Sequence, residues 1–170
     1  CPDGTICFVD NVVCPMSWNT IDTTNQYLYI AERDRTNLPY VYHVRRLDLT
    51  IGFYSGISLK TAIQDAFNLN RPAGISAYTV TYSSNTNTLT ITSGANSDFY
   101  ILTDLDLKHY NQNQLTYDKS NPRSANNVLR NQESTAIITA VENYTFVSSH
   151  TTPFIDIINH HSLYIHSSLN

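Results

Sequence analysis

FYSGISLKTAIQDAFNLNRPAGISAYTVTYSSNTNTLTITSGANSDFYILTDLDL, residues 53–107, reads as one amphipathic helix, one β-hairpin and one further strand ending in a short acidic turn. Leu59, Ala62, Ile63, Ala66 and Phe67 recur at i, i+3, i+4, i+7 and i+8, a single apolar stripe at helical spacing. Ser58 is placed to cap that helix, because its hydroxyl can accept from an unsatisfied backbone N–H. Lys60, Gln64 and Asp65 fall on the face assigned to solvent, and Pro72 and Gly74 end the helix. Tyr78, Val80 and Tyr82 share one face of a strand that Leu89 and Ile91 meet across the polar SSNTNT connection, where Asn tolerates a left-handed backbone. Residues 99–102 form the next strand, and Thr103 caps a short helix over 104–107 with acidic groups in its first turn. These parts can bury one another, so they are expected to organise the fold.

Outward from this unit, residues 40–51, YVYHVRRLDLTI, alternate as a long strand with Leu47, Leu49 and Ile51 on the clearer core face. Residues 32–37, ERDRTN, are the most charged segment and read as a solvated turn after a strand over 26–31. Residues 5–13 read as a strand or bulged strand pair, closed by Cys14-Pro15. On the C-terminal side, residues 110–122 are polar and amide-rich and read as an exposed loop. Residues 124–130 read as a short helix capped by Ser124, residues 134–147 as one or two strands by propensity, and residues 163–166 as a terminal strand. The expected class is α+β and β-rich: a mostly antiparallel sheet packed by one main amphipathic helix and two short helices. With no repeat or linker, residues 1–170 are taken as one domain.

Apolar residues make up 41 % of the chain and charged residues only 14 %, against roughly 25 % in ordinary globular proteins. Asn, Thr and Ser carry the polarity, as is common on extracellular and virion β-proteins. Net charge is −4 and the densest basic spot is Arg45-Arg46, which argues against direct nucleic-acid binding. No apolar run reaches the ~20 residues that cross a bilayer, and no signal peptide opens the chain. The missing initiator Met leads us to expect a removed segment or a longer parent chain.

Cys1, Cys7 and Cys14 are three in number, which rules out a complete internal disulfide set. Cys1–Cys7 and Cys7–Cys14 are the candidate bridges, and three reduced thiols are favoured because nothing else marks a disulfide scaffold. Among the histidines His43, His109, His150, His160, His161 and His166, the last three crowd the C-terminal end. Adjacent His160 and His161 point to opposite strand faces and make a poor chelating pair. Asp104 and Asp106 do not face each other on a helix. Neither a nucleophile elbow, a phosphate loop nor a paired-histidine zinc motif is present. No catalytic, cofactor-binding or metal-ligating residue is therefore singled out. The 12 tyrosines, Tyr27 with Tyr29 and Tyr78 with Tyr82 among them, suit either strands or an interface. The sequon Asn143-Tyr144-Thr145 is expected by chance in so Asn- and Thr-rich a chain.

The order of several segments resembles structural proteins of polinton-like and large DNA viruses. CFVDNVVCPMSW (7–18) is similar to their strand, proline and aromatic opening, and YSGISLKTAIQDAF (54–67) to their aromatic–glycine turn and helix. Residues 78–91 resemble the hairpin that follows. FYILTDLDL (99–107) with SANNVL (124–129) resembles the next block, and LYIHSSL (163–169) the closing strand. The resemblance implies a non-enzymatic virion component of the minor capsid, penton-like or appendage kind. Its partners would be other virion or capsid proteins and further copies of itself. The alternative is an extracellular binding module, an adhesin or receptor-binding head, that takes glycans or a host surface protein through loops 32–37 and 110–122 gathered at one end.

Overall fold

The computed structural model describes residues 19–111, 113–131 and 136–157. The expected strands over 5–13 and 163–166, the cysteines, and His160, His161 and His166 lie outside those residues. Among the described residues six strands, β1 (Tyr27–Asp34), β2 (Val41–Asp48), β3 (Thr79–Ser83), β4 (Thr88–Thr92), β5 (Ser97–Ile101) and β6 (Ser149–Thr151), form two antiparallel sheets ordered β2-β1-β5 and β3-β4-β6. With them come one main helix, α1 (Gly56–Asn68), and two short ones, α2 (Asp104–His109) and α3 (Asn126–Leu129). The fold is α+β and β-rich.

Helix α1 starts at Gly56, so its cap lies three residues before Ser58. Ser55 is the N-cap: its Oγ accepts from the Ser58 N–H at 3.2 Å, and Ser58 Oγ accepts from the Ser55 N–H at 2.9 Å. This reciprocal pair is a capping box with Ser in the place usually held by Glu or Gln. Leu59, Ile63, Ala66 and Phe67 are buried, as their spacing requires, while Ala62 is half-buried. Gln64 departs from its expected place in solvent. β3 is an edge strand, whose outward N–H and C=O groups need partners. Gln64 Oε1 accepts from the Val80 N–H at 2.9 Å, and the Asn68 amide makes two 2.9 Å bonds with the backbone of Tyr78. After the helix the chain reverses at Gly74 (φ +89°), where a side chain would collide with the Asp34 carboxylate.

The two sheets are joined by one segment that changes partners. Phe99 and Val147 exchange backbone bonds of 2.9 Å at the outer edge of β5, and two residues later the same segment becomes β6, paired to β4. Helix α1 lies against β3 and β2 on the opposite side. The two sheets are joined by this one bridge and, with α1, enclose one core. Leu28, Ile30, Leu47, Leu59, Ile63, Val80, Leu89 and Ile91 fill it around the rings of Phe67, Tyr78 and Phe99, whose centroids lie 4.9–5.8 Å apart.

Glu32 does not lie in a solvated turn. β1 runs on to Asp34, and Glu32 points into the core with none of its surface exposed. Its carboxylate takes two bonds from Arg45, at 2.7 and 2.8 Å, and one from the Tyr78 hydroxyl at 2.8 Å. Arg45 also donates to the carbonyls of Phe67 (2.6 Å) and Leu69 (2.8 Å), which the end of α1 leaves without intrahelical partners. Pairing in β2 stops at Asp48. Leu47 and Leu49 are buried as expected, but Ile51 is 43 % exposed because the chain there turns aside to bridge Ile21 through Gly52.

The other face of β1 and β2 carries a second apolar layer: Tyr29, Ala31 and Val44 against Leu102, Leu107, Tyr110, Val141 and Tyr144. The stretch 110–122 is therefore not simply an exposed loop. Tyr110 is buried, the Tyr117 hydroxyl donates to the Leu107 carbonyl at 2.6 Å, and Gln114 Oε1 accepts from the outward Val44 N–H at 2.8 Å. Thr103 caps α2 as expected, in a box with Asp106. Ser124 does not cap α3; it donates to Asp104, and Ala125 holds the cap position. Residues 136–146 are mostly irregular, with one 3-10 turn at Val141–Asn143; the expected strand there is confined to the bridge at Val147, while 134–135 lie outside the described residues.

Removing Arg45 leaves a buried carboxylate without its counter-charge. Arg45→Ala is expected to cost about 3–5 kcal/mol and Tyr78→Phe about 1–2 kcal/mol in urea denaturation. The double substitution Glu32→Leu with Arg45→Met is expected to lie closer to the parent protein than Arg45→Ala alone.

Candidate functional site

Most described acidic groups near the sheets are engaged in holding the fold. Asp98 pairs with Arg33 and, at 3.3 Å, with Arg35. Asp106 Oδ2 accepts from the Thr103 backbone, the Thr103 hydroxyl and the Tyr100 hydroxyl at 2.8–2.9 Å, while Asp104 accepts from Ser124 and Asn126. The two carboxylates of α2 thus have separate partners. Among the described residues no group of three or more His, Cys, Asp or Glu side chains is placed to hold a metal ion.

Two places expose grouped apolar side chains. One is the tip between β1 and β2, where Leu38 is 80 % exposed beside the exposed Tyr40 and Val41. The other follows β2: Ile51, Phe53 (68 % exposed) and Ile57 (70 % exposed). Beside it a groove of about 560 Å³ runs between the end of β2 and α1, lined by Asp48, Thr50, Thr61, Asp65 and the exposed Leu69. The two patches sit at opposite ends of β2, an eight-residue strand about 25 Å long at ~3.3 Å per residue.

Loops 32–37 and 110–122 are not gathered at one end. The first lies at the Asp34 end of β1, whereas Pro122 accepts from the Tyr29 hydroxyl and Arg123 from the Tyr27 N–H at the other. Tyr29 and Tyr78 are core residues; burial pushes the Tyr29 phenol up to about 12 and raises that of Tyr78 as well.

A cleft of about 380 Å³ opens where the 147–151 segment leaves β5 for the other sheet, lined by Tyr100, Ile101, Thr103, Asn131, Val147 and His150 among others. The His150 Nε2 meets Asn131 Oδ1 at 3.1 Å, and burial lowers the imidazole pKa. Asn131 Nδ2 donates to Asn126 Oδ1 at 3.0 Å, and Asn126 Nδ2 donates to the Leu102 carbonyl and the Asp104 carboxylate, each at 2.9 Å. No spacing in the sequence links positions 101, 131 and 150; only the sheet topology brings them together.

Compared with family models, with curated proteins and with solved structures, the chain has no match.

Because the folded state holds His150 neutral, the unfolded chain takes up a proton that the folded chain resists as pH falls through the ordinary histidine value of about 6.5. The His150 contribution to stability is expected to be complete above that pH, to decline below it, and to level off beneath the lowered folded-state pKa. Urea midpoints recorded from about pH 8 to about pH 5 should show a shallower acid-side decline for His150→Gln than for the parent.

Proposed function

We propose that this protein is a non-enzymatic virion structural or assembly component that works through protein–protein contacts, with other virion or capsid proteins and with further copies of itself. The observation that carries this is the pair of exposed apolar patches, Leu38–Val41 and Ile51–Ile57, at opposite ends of β2. Scattered exposed apolar residues are ordinary; grouped ones mark contact surfaces. Covering one large apolar side chain contributes at most roughly 1.5–3 kcal/mol, so each patch would serve as the centre of a larger contact. Two separate patches let one copy hold two neighbours, the arrangement from which closed rings and shells are built. The virion setting rests on the resemblance of the segment order to viral structural proteins, read from the sequence alone. A binding module for glycans or a host surface protein is the second reading, favoured by the cleft beside His150.

Sedimentation velocity across a concentration series tests the assembly role. The parent chain is expected to form larger species as concentration rises. Phe53→Ser with Ile57→Ser, and separately Leu38→Ser with Val41→Ser, should each reduce them, with melting temperatures within a few degrees of the parent because these side chains are exposed. A chain that stays monomeric at every concentration and does not co-sediment with purified particles counts against the proposal.

A further inference from the structure

We propose that the cleft between the outer edge of β5 and the 147–151 segment binds a neutral, polyhydroxylated small ligand, one or two sugar rings in size. This deepens the second reading, the binding module, and rests on it; its failure would leave the assembly role untouched.

The cleft presents hydrogen-bonding groups of defined sense. Phe99 uses its N–H and C=O to pair with Val147, whereas the Leu102 N–H turns inward to the Tyr29 carbonyl. In an antiparallel ladder successive residues alternate, so the Ile101 N–H and C=O face the same outer edge as those of Phe99. The bridge is antiparallel, so Ile101 comes opposite Thr145, where the facing backbone is irregular, and both residues line the cleft. The backbone there offers one donor and one acceptor beside an otherwise buried residue.

The sense of the opposite wall follows from its amides. Asn126 donates through Nδ2 to a carbonyl and a carboxylate, both of which can only accept. Its Oδ1 is therefore the acceptor for Asn131 Nδ2, and Asn131 Oδ1 in turn is the acceptor for His150 Nε2–H. The neutral imidazole is left with its lone pair on Nδ1. Thr145 adds a hydroxyl at the exposed rim, and Val147 and Pro153 supply an apolar wall.

Among the described residues no Lys, Arg, Asp or Glu side chain lines this cleft. A charged ligand would have to leave water without a counter-charge, which disfavours it. A sugar ring matches what remains: hydroxyls that both donate and accept, and a C–H face for the apolar wall. The volume of about 380 Å³ lies at the small end of ligand sites.

Ligand-observed saturation-transfer NMR on the whole chain tests this, with glucose, galactose, mannose and N-acetylglucosamine as probes and glucuronate and galacturonate as charged counterparts. Saturation is expected to reach at least one neutral sugar. Thr145→Val, at an exposed position, and Asn131→Leu, which removes the bond that orients His150, should each weaken its binding severalfold to about tenfold. Thr145→Val keeps the test decisive if Asn131→Leu folds poorly. The proposal is overturned by absence of transfer to every neutral sugar, by equal transfer to the uronates, or by transfer that the Thr145 substitution leaves unchanged.

Discussion

Glu32 enters the interior carrying a charge, and β1, β2, α1 and the start of β3 all meet at it. Desolvating a carboxylate costs several kcal/mol, which is offset only where good geometry and further hydrogen bonds surround it. Here the Arg45 guanidinium grips both oxygens, and the Tyr78 hydroxyl adds a third bond. Arg45 then uses its remaining donors on the last carbonyls of α1. The direction of β2, the seat of the helix terminus and the position of Tyr78 are therefore fixed together. An apolar core of the same volume would hold the layers as strongly but would not define how far the helix slides along the sheet.

The amide-rich composition finds its explanation inside the fold as well as on the surface. Two three-stranded sheets leave edge backbone groups that no strand pairs, and these require partners. Gln64 and Asn68 serve the free edge at β3, Gln114 the free edge of β2, and Asn87 exchanges bonds of 2.8–2.9 Å with Ile155 where the chain returns past the hairpin. Neutral amides suit this work because they donate and accept without the desolvation cost of a charge.

Features set by neighbours in sequence were legible. The stripe from Leu59 to Phe67, the facing of Val80 by Ile91 and Tyr82 by Leu89, the left-handed Asn87, and the Thr103 cap all follow from periodicity or local chemistry. What escaped depends on distant partners. Glu32 sits in a charged run, and only Arg45, thirteen residues away across the hairpin, makes its burial tolerable. Gln64 and Gln114 look solvated until the strand edges they serve are known. Ile51 continues the alternation of β2 past the point where pairing ends. The cleft was illegible for the same reason, since its walls come from β5, the end of α3 and β6.

The way the edges are finished bears on how the molecule meets others. A bare strand edge would recruit a neighbour by backbone pairing, with little selectivity for sequence. In β2 and β3 the amide caps occupy edge groups that such a neighbour would need. Side chains are then left to choose the partner, and those exposed at the two ends of β2 are large and apolar. Selectivity would reside in the shape of the Leu38–Val41 tip and of the Phe53–Ile57 segment, which lie at the two ends of the strand that Arg45 anchors, the second running into α1. A rigid strand between two contact surfaces transmits the angle of one contact to the other. In the assembly proposed above, a subunit would need that mechanical property, and the buried Glu32–Arg45 pair would provide it.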